Sequence, residues 1–263
     1  MQQFDHSISL TQQAPFTFKG ILSGDWSVNG NPHGGYLAAI LANSVLQHSE
    51  KKSISIFTVN FISRCVVGEA DISIENIGFS KHFDRWQARL AQNGQEKICA
   101  IGTFTNNERD QCEKVYEESE PVLLSIEECI TIPEMPNYTI FDQMDIRLDP
   151  NCTGWMRGNL TDKSEVKGWI KFKGDRPFDE LAILLIADSF PPAVIASQGM
   201  VAWVPSIELS VNIRNLATTQ WLKCIFRSRF INNGIVEEDG QIWDETGELI
   251  AISRQIYQFR KNI

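Results

Sequence analysis

One carboxylate is unusual in this sequence because it follows a run of leucine and isoleucine. Asp188 lies four and seven residues after Leu184 and Leu181, so a helix would place it on the leucine-rich face. Burying an unpaired ionised carboxylate costs several kcal/mol. Pro191 and Pro192 follow, and a proline excludes the preceding residue from the helical region, so we expect the helix to end near the carboxylate. Asp188 is therefore either a helix-end residue turned to solvent or a group that faces a cleft holding water.

A second candidate feature is the glycine pair that opens an apolar helix after His33. Gly34 and Gly35 would leave bare amides at the positive end of the helix dipole, where they could polarise a thioester or other carbonyl oxygen. The alternative is close packing of the helix, which only glycine permits. His33 could act as a base, although a single histidine in a loop is more often structural. Tyr36 is a further candidate substrate contact and a candidate lining residue of an acyl tunnel.

Other polar candidates lie on predicted strands near the C-terminus. Ser206, Glu208 and Ser210 share one face of a strand by alternation, and Gln255 in the last strand can donate and accept hydrogen bonds at once. Taken singly, Ser206 and Gln255 are ordinary strand residues. No pattern predicts a metal site, because the sequence contains no CxxC or HExxH motif and all four histidines lie in its first third.

The composition is that of an ordinary globular protein. The chain has 263 residues, 43% of them hydrophobic, and a formal net charge of −9. The negative charge counts against a nucleic-acid partner, although a local pocket of Arg and Lys could still bind a small anion. No signal peptide or membrane-spanning run is apparent. We expect the six cysteines to be reduced, and the protein to be cytoplasmic and not inserted in a membrane.

An internal repeat determines the predicted domain organisation. A helical stretch at 34–46 precedes strand-like segments at 53–63, 69–79, 83–92 and 96–105. A second helical stretch at 179–188 precedes segments at 202–213, 219–231, 235–243 and 248–260. Leu37 matches Leu181 at an offset of 144, and Phe57 matches Leu209 at an offset of 152. We therefore predict similar halves at 1–106 and 137–263, joined by an acidic surface linker at 107–136.

The two helical stretches predict the fold, because each is apolar on nearly all sides and must be buried on nearly all sides. A curved antiparallel sheet wrapped around one long central helix satisfies that burial. The segment 165–172 alternates apolar with polar residues, as expected for a half-solvated antiparallel strand. This architecture is the hotdog fold, so the prediction is an α+β double hotdog whose two sheets join in one unit.

Four stretches in order resemble a known family. They are residues 26–39 (WSVNGNPHGGYLAA), 187–192 (ADSFPP), 205–211 (PSIELSV) and 247–255 (GELIAISRQ). Together they resemble the thioesterase-like superfamily related to bacterial acyl-CoA thioesterase II. The resemblance covers nearly the whole chain except the linker.

The resemblance implies a double hotdog that hydrolyses acyl-CoA thioesters, with acyl-CoA as substrate and no cofactor. In that family an Asp on the second helix, a Ser or Thr on the next strand and a Gln on the last strand orient the attacking water. These roles would fall on Asp188, Ser206 and Gln255. Ser44 stands where the second half has Asp188, which implies one active site per chain. Open sheet edges favour a homodimer or higher homo-oligomer.

Two alternatives remain open from the sequence. A hotdog enoyl-CoA hydratase uses an Asp and a His about five residues apart, whereas Asp25 and His33 are eight apart here. Such a hydratase would need His33, and a thioesterase of the implied kind would not. The other alternative is a protein that binds acyl ligands in a hotdog tunnel without catalysis.

Overall fold

The secondary structure of the chain is taken from a computed structural model that describes residues 2–106 and 114–259. The helices are α1 (Gln3–Ser7), α2 (Gly34–Leu46), α3 (Ile140–Gln143), α4 (Glu180–Ile186) and α5 (Val194–Gln198). The first-half strands are β1 (Leu10–Ala14), β2 (Thr17–Leu22), β3 (Ser27–Val28), β4 (Asn31–Pro32), β5 (Ser53–Phe61), β6 (Gly68–Phe79), β7 (Asp84–Gln92) and β8 (Gln95–Thr105). The later strands are β9 (Ile130–Thr131), β10 (Met144–Leu148), β11 (Ser164–Phe172), β12 (Ser206–Ile213), β13 (Leu222–Ser228), β14 (Ile231–Asn232), β15 (Ile235–Asp244) and β16 (Leu249–Gln258).

The predicted second helix is shorter than expected. The helix α4 covers seven residues, begins where the Asp179 carboxylate accepts the amide of Ala182, and ends at Ile186. Beyond it, the amides of Asp188 and Ser189 bond three residues back instead of four, so the backbone tightens into a turn. Asp188 therefore lies just past the helix. Among the described residues, the helices lack the length and continuous hydrophobicity that a membrane-spanning helix requires.

In the described residues, fourteen strands form one antiparallel sheet. The strand order is β1-β2-β6-β7-β8-β5-β12-β16-β15-β13-β11-β10-β9, and β14 pairs with β15. The order in the second half mirrors the order in the first, so β5 corresponds to β12, β8 to β16 and β7 to β15. At the central junction Thr58 pairs with Ser210, and their hydroxyl oxygens are 2.8 Å apart. These two residues share the offset of 152, so the halves meet at equivalent positions.

The helices α2 and α4 cross at a glycine inside the sheet. A Cβ atom added to Gly35 would lie 2.7 Å from the carbonyl oxygens of both Leu184 and Leu185. The close approach of the helices therefore requires glycine there, which is the packing alternative anticipated from the sequence. Both helices are nearly completely buried, as their apolar sequences predict.

The acidic segment between the halves does more than connect them. Residues 107–113, which include Cys112, lie outside the described residues, as do residues 1 and 260–263. From residue 114 onward the segment crosses the outer face of the second half, where Lys167 Nζ donates to the Val122 carbonyl at 2.9 Å and Trp169 Nε1 to the Leu124 carbonyl at 3.0 Å. It then adds β9 to the edge of the sheet beside β10.

Candidate active site

Three polar side chains predicted from the sequence meet beside the end of α4. The amide Nε2 of Gln255 donates to Asp188 Oδ1 and to Ser206 Oγ, each at 2.6 Å. Gln255 is 2% exposed and lies on the inner face of β16. The three residues are separated by at least 18 positions in the chain, so only the tertiary structure brings them together.

The register of two neighbouring strands explains this meeting. On β12 and β16, Leu209 pairs with Gln255 and Ser206 pairs with Tyr257, and a β-bulge lies between Ser206 and Glu208. The bulge adds a residue to β12 and redirects Ser206 toward the Gln255 amide. Because Gln255 uses both amide hydrogens, its Oε1 remains a buried acceptor without a partner in the described residues. Such an atom is rare in folded proteins and indicates a place for a bound donor.

Residues from the first half hold Asp188 in position. The amide of Gly35 donates to Asp188 Oδ2 at 2.9 Å, and His33 Nε2 donates to the Asp188 carbonyl at 2.7 Å. His33 Nε2 also lies 3.3 Å from Oδ2. A Cβ atom on Gly34 would lie 2.6 Å from the same carboxylate oxygen. The site is thus built from both halves, and the carboxylate sits at the partially positive N-terminal end of α2.

These contacts correct the expectation for the glycine pair. The amide of Gly35 is already bonded to the Asp188 carboxylate, so it orients that residue and is not available to a substrate carbonyl. Gly34 lines the cavity described below, and its amide has no acceptor in the described residues. Of the two predicted amides, Gly34 is the one free to polarise a substrate.

The expectation for Tyr36 is wrong, because this side chain is fully buried away from the cavity. Its hydroxyl donates to the Ser7 carbonyl at 2.9 Å and accepts the Ser23 amide at 3.0 Å, and its ring stacks on Trp26. Burial raises the pKa of Tyr36 to about 12. Tyr36 therefore anchors the N-terminal residues against α2.

A cavity of about 1070 Å³ opens beside the three polar residues. Its wall includes His33, Gly34, Asp188 and Ser206. Most of its surface is apolar. Its apolar lining includes Phe190, Pro191, Pro192, Ile195, Trp203 and Val204. Ile132, Pro133 and Met135 contribute as well, so the end of the segment predicted as a surface linker forms part of a binding site. Pockets for small ligands measure roughly 300–1,000 Å³, so this cavity is large enough for an extended ligand.

A further carboxylate in this region is missing from the sequence-based candidates. Glu238 on β15 pairs in register with Gln255 and is 4% exposed. Its Oε2 accepts the Ala193 amide at 2.5 Å and its Oε1 accepts the Tyr257 hydroxyl at 2.8 Å. Burial, and to a smaller extent the charge of Asp188, raises the pKa of Glu238 to about 7. The sequence contains a signal for Glu238, because the alternation of side chains along β15 places it on the same inner face as Val236.

The first half contains no counterpart of this polar group. The strand registers show which positions of the two halves are equivalent. The strand β8 pairs with β5 and β7 in the first half, as β16 pairs with β12 and β15 in the second. Where the second half has Asp188, Gln255 and Glu238, the first half has Ser44, Gly102 and Trp86. A Cβ on Gly102 would meet the rings of Phe104 and Phe57, so aromatic side chains fill that region. The described residues therefore form one such site.

The Asp–His pair of the hydratase alternative is not assembled. Asp25 accepts a hydrogen bond from Gln3 at 3.2 Å and does not line the cavity, whereas His33 contacts Asp188. In the described residues, no group of three or more His, Cys, Asp or Glu side chains is placed to hold a metal ion.

Comparisons with families and curated proteins give two matches and one negative result. Residues 22–106 match the family described as acyl-CoA thioesterase N-terminal domain, and residues 126–258 match the one described as acyl-CoA thioesterase C-terminal domain. A comparison with curated proteins finds no match.

Solved structures share the fold over the full length of the chain. A suggested thioesterase II from Thermobifida fusca has a TM-score of 0.90 at 21% identity, covering 99% of this chain and 98% of its own. A hot dog fold protein of unknown function from Alicyclobacillus acidocaldarius has a TM-score of 0.91 at 17% identity, with 100% of both chains covered. The acyl-CoA thioesterase II TesB2 from Mycobacterium marinum has a TM-score of 0.77 at 16% identity, with 98% of both chains covered.

Proposed function

Because this chain belongs to the acyl-CoA thioesterase family and is a thioester hydrolase, we propose that it cleaves fatty or related acyl-CoA to the free acid and CoA at Asp188. The observation that carries this site is the hydrogen-bonded group of Asp188, Gln255 and Ser206, of which Asp188 and Ser206 line a large and mostly apolar cavity. A hydrolytic site needs a proton acceptor and polar groups that orient water, beside a pocket for the acyl chain. The polar group and the apolar lining offer candidates for each of these parts.

The proposed reaction is a direct attack by water. Gln255 and Ser206 orient the water, Asp188 accepts its proton, and the oxygen adds to the thioester carbonyl carbon. The amide of Gly34 at the start of α2 donates to the carbonyl oxygen as negative charge develops there. The carbon–sulfur bond then breaks and the thiolate of CoA takes up a proton. A thioester is reactive enough that the mechanism needs neither a covalent intermediate nor a metal ion.

One cation in the cavity wall supports CoA as the thiol half of the substrate. Arg64 is the sole lysine or arginine among the described lining residues, and no described residue forms an ion pair with it. CoA carries a diphosphate and a 3′-phosphate, which arginine binds through charge-assisted hydrogen bonds. We propose that the CoA phosphates bind near Arg64 and that the acyl chain packs against the apolar lining of the cavity.

Replacing Arg64 with glutamine is expected to raise KM for acyl-CoA about tenfold, the equivalent of about 1.4 kcal/mol. Hydrolysis of the same acyl group on pantetheine, which lacks the phosphates, should not change. Arg85→Gln is a matched control, because Arg85 is an exposed strand arginine outside the cavity. An equal loss on both substrates would contradict the assignment of Arg64 to the phosphates.

The proposed activity is tested by incubating the purified protein with short, medium, long and aromatic acyl-CoAs and measuring the free thiol that is released. We expect release of CoA for at least one acyl class, with rates that depend on chain length because the cavity is apolar. Binding without release of CoA would contradict the proposed reaction and favour an acyl-ligand binding protein. The appearance of a 3-hydroxyacyl-CoA from an enoyl-CoA would favour a hydratase.

The repeat supports further proposals about organisation. We propose two tandem hotdog units, within 1–106 and 137–263, joined into one double hotdog by the pairing of β5 with β12. The mirrored strand order supports this division, although α4 is short for a central helix. We also propose a cytoplasmic homodimer or higher homo-oligomer that does not bind nucleic acid, based on the reduced-cysteine pattern, the open sheet edges and the negative charge.

A further inference from the structure

The buried Glu238 lies outside the proposed reaction but contacts two parts of the cavity wall. Its Oε2 accepts the amide of Ala193, the N-cap residue of α5, and its Oε1 accepts the hydroxyl of Tyr257 on β16. Ala193 directly follows Pro191 and Pro192, and both prolines line the cavity, as does Tyr257. One carboxylate therefore connects a loop and a strand that border the same space.

Apolar side chains pack around the connection that Glu238 makes. Val194, Val236, Tyr257 and Phe259 form a small apolar cluster of their own, separate from the main core. The segment 199–205 after α5 has no regular secondary structure, and Met200 and Trp203 within it are exposed. Ala202 and Val204 pack against this cluster, and Ala193 packs in the main core, so the hydrogen bonds of Glu238 add directional contacts to a wall that apolar packing holds together.

We propose that Glu238 is a positioning residue that holds the apolar wall of the cavity in its acyl-binding shape while its carboxylate is charged, and so sets how well long acyl chains bind. This inference rests on the proposed hydrolysis at Asp188 and adds a determinant of acyl-chain specificity. Glu238 itself does not touch the reacting atoms.

The charge of Glu238 matters because a carboxylate can accept both hydrogen bonds strongly, whereas a neutral carboxyl group has one carbonyl oxygen and one O–H. Protonation therefore weakens the connection to either Ala193 or Tyr257. Burial is the main cause that raises the pKa of Glu238 to about 7. The connection is intact above about pH 7 and weakens as the pH falls below it.

The two carboxylates nearest to Glu238 favour its neutral form, and no described cation offsets them. Asp188 acts from the turn after α4 and Glu237 from the same strand, whereas the hydrogen bonds from Tyr257 on β16 and from the Ala193 amide favour the charged form. The helix α5 contributes no titratable side chain. On β13 and just beyond it, Arg227 and Arg229 are paired with other carboxylates, those of Glu165 and Asp239.

The test compares KM for a long and a short acyl-CoA between pH 5.5 and 8.5, in the wild-type protein and in Glu238→Gln. In the wild type, KM for the long substrate should fall about five- to tenfold as the pH rises through about 7, whereas KM for the short substrate should show no such difference. The CoA phosphates are common to both substrates, so their own titration cancels in the comparison. Glutamine has the shape of the neutral acid, so Glu238→Gln should keep the high KM for the long substrate at every pH.

Two further variants separate positioning from a general structural role. Glu237 lies on the outer face of the same strand, so Glu237→Gln should keep the fall in KM for the long substrate as the pH rises. Tyr257→Phe removes one of the two hydrogen bonds and should raise KM for the long substrate at pH 8.5. The proposal is wrong if KM for the long substrate still falls with rising pH in Glu238→Gln. It is also wrong if this variant lowers kcat equally for both substrates and leaves KM unchanged. If the wild-type protein hydrolyses no thioester, the proposed function itself fails.

Discussion

Substitution of Asp188 by asparagine is expected to lower kcat/KM for acyl-CoA hydrolysis by about 10²- to 10⁴-fold, the usual contribution of a positioned general base. Asparagine is nearly the same size and can still accept the Gly35 amide, but it cannot take a proton from water. Its amide group would also face the Nε2 donor of Gln255 instead of a carboxylate oxygen. The measurement is release of CoA thiol under steady-state conditions.

The matched control for this substitution is Asp25→Asn, which changes the same functional group at a site outside the cavity. We expect its hydrolysis rate to equal that of the parent protein. Urea unfolding should show that Asp188→Asn remains folded, since the Gly35 amide keeps its acceptor and the Gln255 amide can turn over so that its Oε1 accepts from the new NH2 group and from Ser206. Undiminished hydrolysis by Asp188→Asn would remove this residue from the mechanism even though the family assignment would stand.

Substitution of Gly35 by alanine is expected to have the largest effect on folding stability, a loss of about 1–3 kcal/mol in the free energy of unfolding. The new methyl group would lie 2.7 Å from two backbone carbonyl oxygens of α4. A backbone atom cannot move aside as the end of a flexible side chain can, so α2 and α4 would have to separate. The measurement is the urea concentration at the midpoint of unfolding.

The same substitution should also reduce hydrolysis, because moving α2 away from α4 lengthens the Gly35–Asp188 hydrogen bond. Gly78→Ala is the control for changing glycine to alanine in this protein, since an added Cβ at Gly78 meets nothing within 4 Å. That variant should unfold at the parental midpoint or slightly above it. If Gly35→Ala were as stable as Gly78→Ala, the described crossing of the helices would be wrong.

The candidate residues illustrate what a sequence can predict about a site. Asp188 was identifiable because a carboxylate interrupts an apolar helix face, and the resemblance added Ser206 and Gln255. The two domain matches confirm the predicted family, and the structure brings the three side chains to hydrogen-bond distance. Their catalytic roles stay predictions that the substitutions above will test.

Other candidates depended on contacts that local patterns do not contain. Gly34, Gly35 and Tyr36 lie on the same apolar helix, yet of these three candidates Gly34 alone lines the cavity. Which face of a fully buried helix meets the cavity is decided by how the other helix crosses it. Glu238 was missed for a similar reason, because its importance comes from Ala193 and Tyr257, which are 45 and 19 residues away in the chain.

By itself the sequence determined the elements of this protein, since helix and strand periodicity depend on neighbouring residues and the internal repeat set their order. The predicted segments for α2, β5–β8, β12, β13, β15 and β16 agree with the structure to within a few residues at most boundaries. Only the tertiary structure decided that residues of both halves build the polar site, that the amide of Gly35 is used by Asp188, and that the segment between β8 and β10 lines the cavity. These features depend on strand register and on the helix crossing, which join residues up to 155 positions apart.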